Sequence, residues 1–129
     1  MTPEQKAKLP PGPWMTEPDL VEWTCHGYQC LVKRGMNGAL LGYIRVPEGH
    51  PWYEVERLEA NCHGGINFAK AEVINLMPMW RIGFDCAHYR DLVPGLERID
   101  YDDEYRDIDY VTSEVECLAR QALAAKKQE

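Results

Sequence analysis

The sequence lacks any run of eighteen or more apolar residues, and its first residues do not place a basic segment before an apolar one. A membrane span needs about 20 consecutive apolar residues, and a secretory signal needs that basic-then-apolar order. The sequence therefore predicts neither a membrane-embedded nor a secreted protein. We expect the chain to work in the cytoplasm.

Positive charge is also scarce. The chain has 14 lysine and arginine residues against 21 aspartate and glutamate residues, which gives a formal net charge of −7. Such a molecule repels the phosphate backbone of nucleic acids and the surface of anionic membranes. Nucleic acids and membranes are therefore disfavoured as partners.

Paired CxxC motifs and dense cysteine spacing are missing as well. An odd number of scattered cysteines favours reduced thiols in a cytosol over a disulfide framework. The composition, 45% hydrophobic and 27% charged over 129 residues, is typical of one globular domain. The cysteines are Cys25, Cys30, Cys62, Cys86 and Cys117.

Proline is concentrated at the beginning of the chain, where five of the nine prolines lie within the first 19 residues. Proline removes a backbone donor and pushes the preceding residue toward extended geometry. Residues 1–13 are therefore predicted to form a flexible, proline-rich arm. Trp14 gains free energy by lying on the domain surface, so we expect a single ordered domain over residues 14–129.

Two runs rich in β-branched and aromatic residues, at 20–33 and 39–46, flank a strong turn signal at Asn37 and Gly38. Both turn residues tolerate the positive φ that a reversal requires. The pattern predicts a β-hairpin, with each run forming one strand.

Later segments complete the predicted fold. Residues 72–78 are predicted to be a connector and residues 79–84 a further strand. From about residue 109, apolar positions recur at helical spacing, which predicts an amphipathic helix. Strands first and a helix last indicate a small α+β domain, in which a mostly antiparallel sheet packs against one C-terminal helix.

Three polar loops each carry a histidine: His50, His63 and His88. Histidine titrates near neutral pH and ligates metals, and Asp85 could orient one of the rings. If the loops meet, His63, Asp85 and His88 would form an acid–base centre, and the three histidines a site for a divalent metal such as zinc. The alternative is a hydrogen-bonded knot in which the histidines brace carboxylates.

The same loops contain residues that suit a small anionic ligand. The consecutive glycines form either an anion-binding nest or a tight turn. The cysteine before His88 is either a nucleophile with a histidine base or a packed thiol, and the aromatic residues beside His50 line a ligand pocket or fill the core. The predicted ligand-binding residues are His50, Trp52, Tyr53, Gly64, Gly65, Cys86 and Asp91.

Short motifs rich in Gly, Pro, Trp, Cys and His run from position 12 to position 107. They are Gly12-Pro-Trp14, Glu17-Pro-Asp19, Cys30-Leu-Val32, Gly42-Tyr43, Val46-Pro-Glu-Gly-His-Pro-Trp-Tyr53, His63-Gly-Gly65, Trp80, Gly83-Phe-Asp-Cys-Ala-His88, Asp91 and Tyr105-Arg-Asp107. Together they resemble a family of small uncharacterised proteins from tailed phages and bacterial prophages. The resemblance implies a setting, the cytoplasm of an infected or lysogenic bacterium, more than a mechanism.

Two classes of function follow. The first is an accessory protein that binds a small anionic molecule or a host protein through its polar loops. The alternative is a small hydrolase, with or without a metal, that uses His63, His88 and Asp85. The acidic run at residues 100–109 is predicted to be a solvated loop, which could also fill a basic groove on a partner. The sequence also leaves open whether the chain forms a homo-oligomer.

Overall fold

Five strands form one antiparallel sheet, with a long helix packed on one face. The strands are β1 (Leu20–Cys25), β2 (Tyr28–Arg34), β3 (Leu40–Pro47), β4 (Phe68–Ile74) and β5 (Met77–Asp85). In the computed structural model, which describes residues 1–98 and 101–128, the order across the sheet is β1-β2-β3-β5-β4 and all neighbours are antiparallel. The predicted α+β fold, with its C-terminal helix, is confirmed.

The hairpin around Asn37 and Gly38 is confirmed as the β2–β3 pair, and Gly38 has a φ of 89°. The run at residues 20–33, predicted as one strand, is instead the β1–β2 hairpin. The chain reverses at His26 and Gly27, whose φ angles are 54° and 86°. Two consecutive positive φ angles are what a two-residue hairpin turn requires, and one glycine was the only local signal.

Residues 72–78 are also a hairpin, and the prediction of a connector is wrong. β4 and β5 pair directly, and the reversal occurs at Asn75 and Leu76, with φ angles of 51° and 66°. A leucine with positive φ is uncommon, so this turn is hard to predict from its residues. The strand predicted at residues 79–84 is confirmed as part of β5.

The C-terminal helix, α2 (Ile108–Lys127), begins at Asp107, whose side chain accepts a hydrogen bond from the Tyr110 amide at 2.8 Å. Such a cap satisfies a donor that the helix itself leaves unpaired. The apolar face predicted from the spacing packs against β1, β2 and β3. No helix in residues 1–98 or 101–128 combines the length and apolarity of a membrane span. The buried residues of α2 are Val111, Val115, Leu118, Ala119 and Ala122.

The N-terminal arm contains regular structure. A short helix, α1 (Pro3–Ala7), is capped at Thr2, and Lys6 Nζ lies 2.8 Å from Asp19 Oδ1. A following 3₁₀ turn buries Trp14 against the domain. Residues 1–13, predicted to be flexible, are thus tied to the domain by an ion pair.

The acidic run is only partly the solvated loop that was predicted. Asp100 lies outside the described residues. Asp103 is buried, and Asp107 caps α2. The Glu104 amide donates to the Arg90 carbonyl at 2.9 Å, which joins this run to the loop after β5. The run therefore supports neighbouring structure.

Candidate functional site

Two of the three histidine-bearing loops meet beside the first turn of α2. His63 lies in the connection between β3 and β4, whereas His88 follows β5. Their ring centroids are 5.8 Å apart in an edge-to-face arrangement. Each ring has its own carboxylate, Asp91 beside His63 and Asp85 beside His88. Four predicted site residues are therefore neighbours.

The Asp91 carboxylate is the centre of this cluster. Its side chain is completely buried and accepts hydrogen bonds from His63 Nε2 at 2.7 Å, the His88 amide at 2.9 Å and Arg106 Nε at 3.0 Å. Burial alone would raise the pKa of Asp91, but these hydrogen bonds hold that pKa below the ordinary value for an aspartate. Asp91 is therefore a charged group that ties three segments together.

His63 is held from both sides. Because a carboxylate can only accept a hydrogen bond, the Nε2 atom that faces Asp91 carries a proton. The other ring nitrogen, Nδ1, lies 2.8 Å from the hydroxyl of Tyr110 in the first turn of α2. Burial raises the pKa of Tyr110, so its hydroxyl keeps its proton. Both nitrogens of His63 are thus used within the protein.

His88 is placed differently. Its Nε2 lies 3.0 Å from Asp85 Oδ1, yet this buried atom makes no hydrogen bond within residues 1–98 or 101–128. Asp85 accepts hydrogen bonds from Asn67 Nδ2 at 2.9 Å and from the Ala87 amide at 3.2 Å. The side chains of His88 and Asp85 are each 34% exposed, so both are partly open to solvent although the Nε2 atom itself is buried.

The two predicted ligand-binding glycines serve the loop itself. Gly64 has a φ of 70°, and a Cβ at this position would overlap the ring of His88. Gly65 has a φ of 81°, and its amide donates to the Cys62 carbonyl at 2.9 Å. Because that amide already closes a turn, the tight-turn alternative is favoured over the anion-binding nest.

His50 does not join the cluster, and the predicted meeting of all three histidines is wrong. Its Nε2 lies 2.9 Å from the Ala122 carbonyl, and its Nδ1 accepts a hydrogen bond from the Trp52 amide at 3.0 Å. His63 instead contacts Tyr110, twelve residues before Ala122 in the same helix. At 1.5 Å per residue these contacts are about 18 Å apart along the axis of α2. His50 braces a loop against the far end of that helix.

The metal ligands predicted from the sequence are consequently not assembled. In the part of the chain that the structure describes, no group of three or more His, Cys, Asp or Glu side chains is arranged to hold a metal ion. His50 is too distant to share an ion with His63 and His88.

The remaining predicted ligand residues pack into or against the core. Trp52 is buried, and the ring of Tyr53 lies 6.3 Å from that of Trp80. Cys86 is buried, and burial raises the pKa of its thiol well above the ordinary value. A nucleophilic cysteine needs the opposite shift. For these three residues, packing in or against the core is therefore favoured over ligand binding.

Two members of the His63 cluster were missed by sequence reasoning. Arg106 lies within the Tyr105-Arg-Asp107 motif and the acidic run, neither of which predicts a contact with Asp91. Tyr110 lies in the predicted helix, and its position there predicts no contact with His63. Neither residue type signals a role by itself, because the contacts join segments 15 and 47 positions apart in sequence.

A second polar cluster, centred on Arg34, was also missed. The buried guanidinium donates to Asp19 Oδ1 at 2.7 Å and to the hydroxyl of Tyr105 at 2.9 Å. That hydroxyl donates to Glu17, whose second oxygen accepts the Ile108 amide at 2.8 Å. The cluster joins the arm, the sheet and the first turn of α2.

The chain matches no protein-family model, no curated protein and no solved structure. The resemblance to phage and prophage proteins therefore stays a prediction.

An exposed surface lies beside the His63 cluster, and we call it the tyrosine surface. Tyr89 is 80% exposed and Tyr101 is 94% exposed. Arg90 lies over the ring of Tyr89, with its Cζ atom 5.5 Å from the ring centroid, and its Nη1 atom is 3.6 Å from Oδ2 of Asp102, the residue after Tyr101. The tyrosine surface, Tyr89, Arg90, Tyr101 and Asp102, thus spans two adjacent loops.

Proposed function

We propose that this protein is an accessory protein of the bacterial cytoplasm that binds a host protein through the tyrosine surface. The observation that carries the proposal is the exposure of Tyr89 and Tyr101 on loops that are otherwise firmly bonded. Tyrosine and arginine are the residue types that dominate the binding energy of protein interfaces, together with tryptophan. Here both types stand side by side.

The buried cluster supports the proposal by fixing these loops. Asp91 binds the His88 amide, and its own backbone segment is bridged to Glu104, since the Leu92 amide donates to the Glu104 carbonyl at 2.9 Å. The Glu104 amide returns a hydrogen bond to the Arg90 carbonyl at the same distance. Loops that are fixed before binding lose less conformational entropy on association.

Charge favours a protein over a small anion as the ligand. Arg106 is held by Asp91 and Glu104, and Arg90 lies near Asp102. A small anion would have to displace a carboxylate that is already in place. A net charge of −7 instead attracts a partner with a basic surface and speeds their encounter.

The test compares a Tyr89→Ala/Tyr101→Ala double variant with wild type and with Leu20→Ala, an exposed residue on β1. Each protein is used to capture partners from a bacterial lysate, and the captured protein is then purified for binding measurements. We expect a basic protein that binds wild type and Leu20→Ala equally, and the double variant at least about tenfold more weakly, or about 1.4 kcal/mol. Equal affinity for all three proteins would contradict the proposal.

A second candidate function, a small hydrolase, is favoured by one observation: the partly exposed side chain of His88 lies 3.0 Å from Asp85. In this role His88 would accept a proton, Asp85 would stabilise the resulting imidazolium, and His63 would only support the loop. The test is turnover of carboxylic and phosphoric esters by wild type, His88→Gln and the control His26→Asn, with and without chelator. A hydrolase should lose about 100-fold or more in His88→Gln alone. Absence of turnover by wild type would rule this candidate out.

A further inference from the structure

Within residues 1–98 and 101–128, the last strand of the sheet, β4, has a neighbour on one side only, because the strand order ends β5-β4. Lys70, Ala71 and Val73 of this strand are exposed. An edge strand with accessible backbone groups can pair with a strand from another chain. A lysine normally discourages such pairing, so the residue that would stand opposite Lys70 decides whether the edge is protected.

The sequence of β4 is complementary to itself when read antiparallel. If two copies pair with Ala71 opposite Ala71, Lys70 of each copy faces Glu72 of the other. In the same register, Ala69 faces Val73 and Phe68 faces Ile74. Opposite charges and apolar pairs directly across two strands are stabilising. Lys70, which disfavours pairing with most other strands, therefore favours pairing with β4 of a second copy.

The charges already present within one copy strengthen the argument. Arg45, Arg81 and Lys70 stand opposite one another in a single row across β3, β5 and β4. Glu72 forms ion pairs with Arg45 and Arg81, and no ion pair to Lys70 is formed within the described residues. Glu72 therefore pairs with two cations of this row and not with the third, Lys70. Glu72 of a second copy would supply the missing counter-charge.

The ends of β4 are complementary as well. The β4–β5 turn presents Leu76, which is 94% exposed, beside the exposed side chains of Val73 and Met77. At the other end of β4, a groove of about 600 Å³ is lined by Leu58 and Ile66 together with Glu56, Arg57 and Glu59. β4 ends at Ile74, which would face Phe68 of the other copy, so the turn that carries Leu76 lies at the same end of the interface as the partner's groove. Each turn would therefore stand beside the groove of its partner.

We infer that two copies of this chain pair through β4, antiparallel and centred on Ala71, into one continuous ten-stranded sheet. The two-fold axis passes between the two Ala71 residues, so the same contacts occur twice, as a symmetric dimer requires. The turn that carries Leu76 in each copy lies beside the groove at Ile66 of the other. This interface involves different strands from those that support the tyrosine surface, and the two proposals can fail independently.

The test uses charge reversal and sedimentation equilibrium from about 1 µM to about 200 µM. We expect wild type to dimerise, and Lys70→Glu and Glu72→Lys each to be monomeric, because like charges would then face each other. An equimolar mixture of the two variants should regain the dimer, since one copy then carries two carboxylates opposite two lysines. Glu22→Lys, at the other edge of the sheet, is the control and should dimerise like wild type.

Circular dichroism establishes that each variant is folded. Because Glu72→Lys also breaks the ion pairs with Arg45 and Arg81, Leu76→Ser provides a second test that leaves those charges intact. It should weaken the dimer at least about tenfold. A monomeric wild type at the highest concentration, or a Lys70→Glu variant that dimerises as tightly as wild type, would overturn the inference.

Discussion

The ring of His88 occupies the space that a side chain at position 64 would need, so Gly64 and His88 fit together as a pair. This contact sets how closely the loop that carries His63 approaches the end of β5. The neighbouring Gly65 also has positive φ, but a Cβ at that position would meet no atom within 4 Å. Comparing alanine substitutions at the two glycines therefore separates the cost of a positive φ from the cost of steric overlap.

Gly64→Ala should lower the free energy of unfolding by about 2 to 4 kcal/mol, the sum of a positive-φ penalty and an overpacked contact. Gly65→Ala should lower it by about 1 kcal/mol, because only the backbone penalty applies. Urea unfolding of both variants measures the difference. In a Gly64→Ala background, His88→Ala should recover part of the loss, and equal losses for the two glycine variants would show that the ring contact is unimportant.

Asp91→Asn should destabilise the protein by about 3 kcal/mol at neutral pH, because a buried charge with several donors is replaced by a neutral amide. The folded state lowers the pKa of Asp91. Its contribution is therefore complete above the unfolded pKa of about 3.9 and is lost as the pH falls through the lower folded value.

Urea unfolding of wild type and Asp91→Asn between neutral and acid pH checks whether the contribution of Asp91 is lost as the pH falls. The two stability curves should converge in the acid range. Asp85→Asn is the matched control, and its partly exposed carboxylate should change stability less. A constant gap between wild type and Asp91→Asn down to the lowest pH would show that ionisation of Asp91 is not the cause.

Tyr105→Phe should cost about 1.5 to 3 kcal/mol of stability, because the hydroxyl bonds two charged groups, Glu17 and Arg34. The ring and its edge contact with Trp14 are retained. Thermal unfolding of this variant is compared with that of Tyr101→Phe, whose exposed hydroxyl should matter by less than about 0.5 kcal/mol. Similar effects of the two substitutions would contradict a structural role for the Arg34 cluster.

His50→Asn should destabilise the protein by about 2 to 4 kcal/mol, since the Ala122 carbonyl and the Trp52 amide each lose a buried partner. The same substitution at the exposed His26 should be nearly neutral, because asparagine tolerates the positive φ of that turn. Urea unfolding and metal analysis are run on both variants. A loss of bound metal from His50→Asn without a loss of stability would restore the ligand hypothesis.

The thiols should differ in reactivity. Burial raises the pKa of Cys30 to about 12 and raises that of Cys86 further, whereas Cys117 is only partly buried. A thiol-specific alkylating agent near pH 8 should modify Cys117 before either buried cysteine, because the thiolate is the reactive form. Peptide mass spectrometry of native and urea-unfolded protein measures this order. Early modification of Cys86 would revive the nucleophile hypothesis.

Local signals predicted the fold where a signal stood within a few residues of its effect. Asn37-Gly38 marked one hairpin, and the spacing of apolar residues marked α2. The turns at His26-Gly27 and Asn75-Leu76 were missed because each contains only one strong turn residue, Gly27 or Asn75, next to a histidine or a leucine. A two-residue turn was thus predicted only where both positions carried strong turn residues, as in Asn37-Gly38.

The site was less predictable, because its contacts are distant in sequence. Because their loops leave strand ends, the sequence predicts that His63 and His88 lie close together. It does not predict which side chain each ring contacts. His50 fails to join them because its loop folds onto Ala122, 72 positions away. Arg34 stood in a predicted hairpin, and nothing near it suggested a bond to Tyr105, 71 positions later.

Glu17 caps the first turn of α2 across 91 positions of sequence. Ile108 and Tyr105, the partners of Glu17 and Trp14, both follow the last strand of the sheet in sequence. These two contacts of the arm can therefore form only after the start of α2 has been synthesised, even though the arm itself is made before every strand.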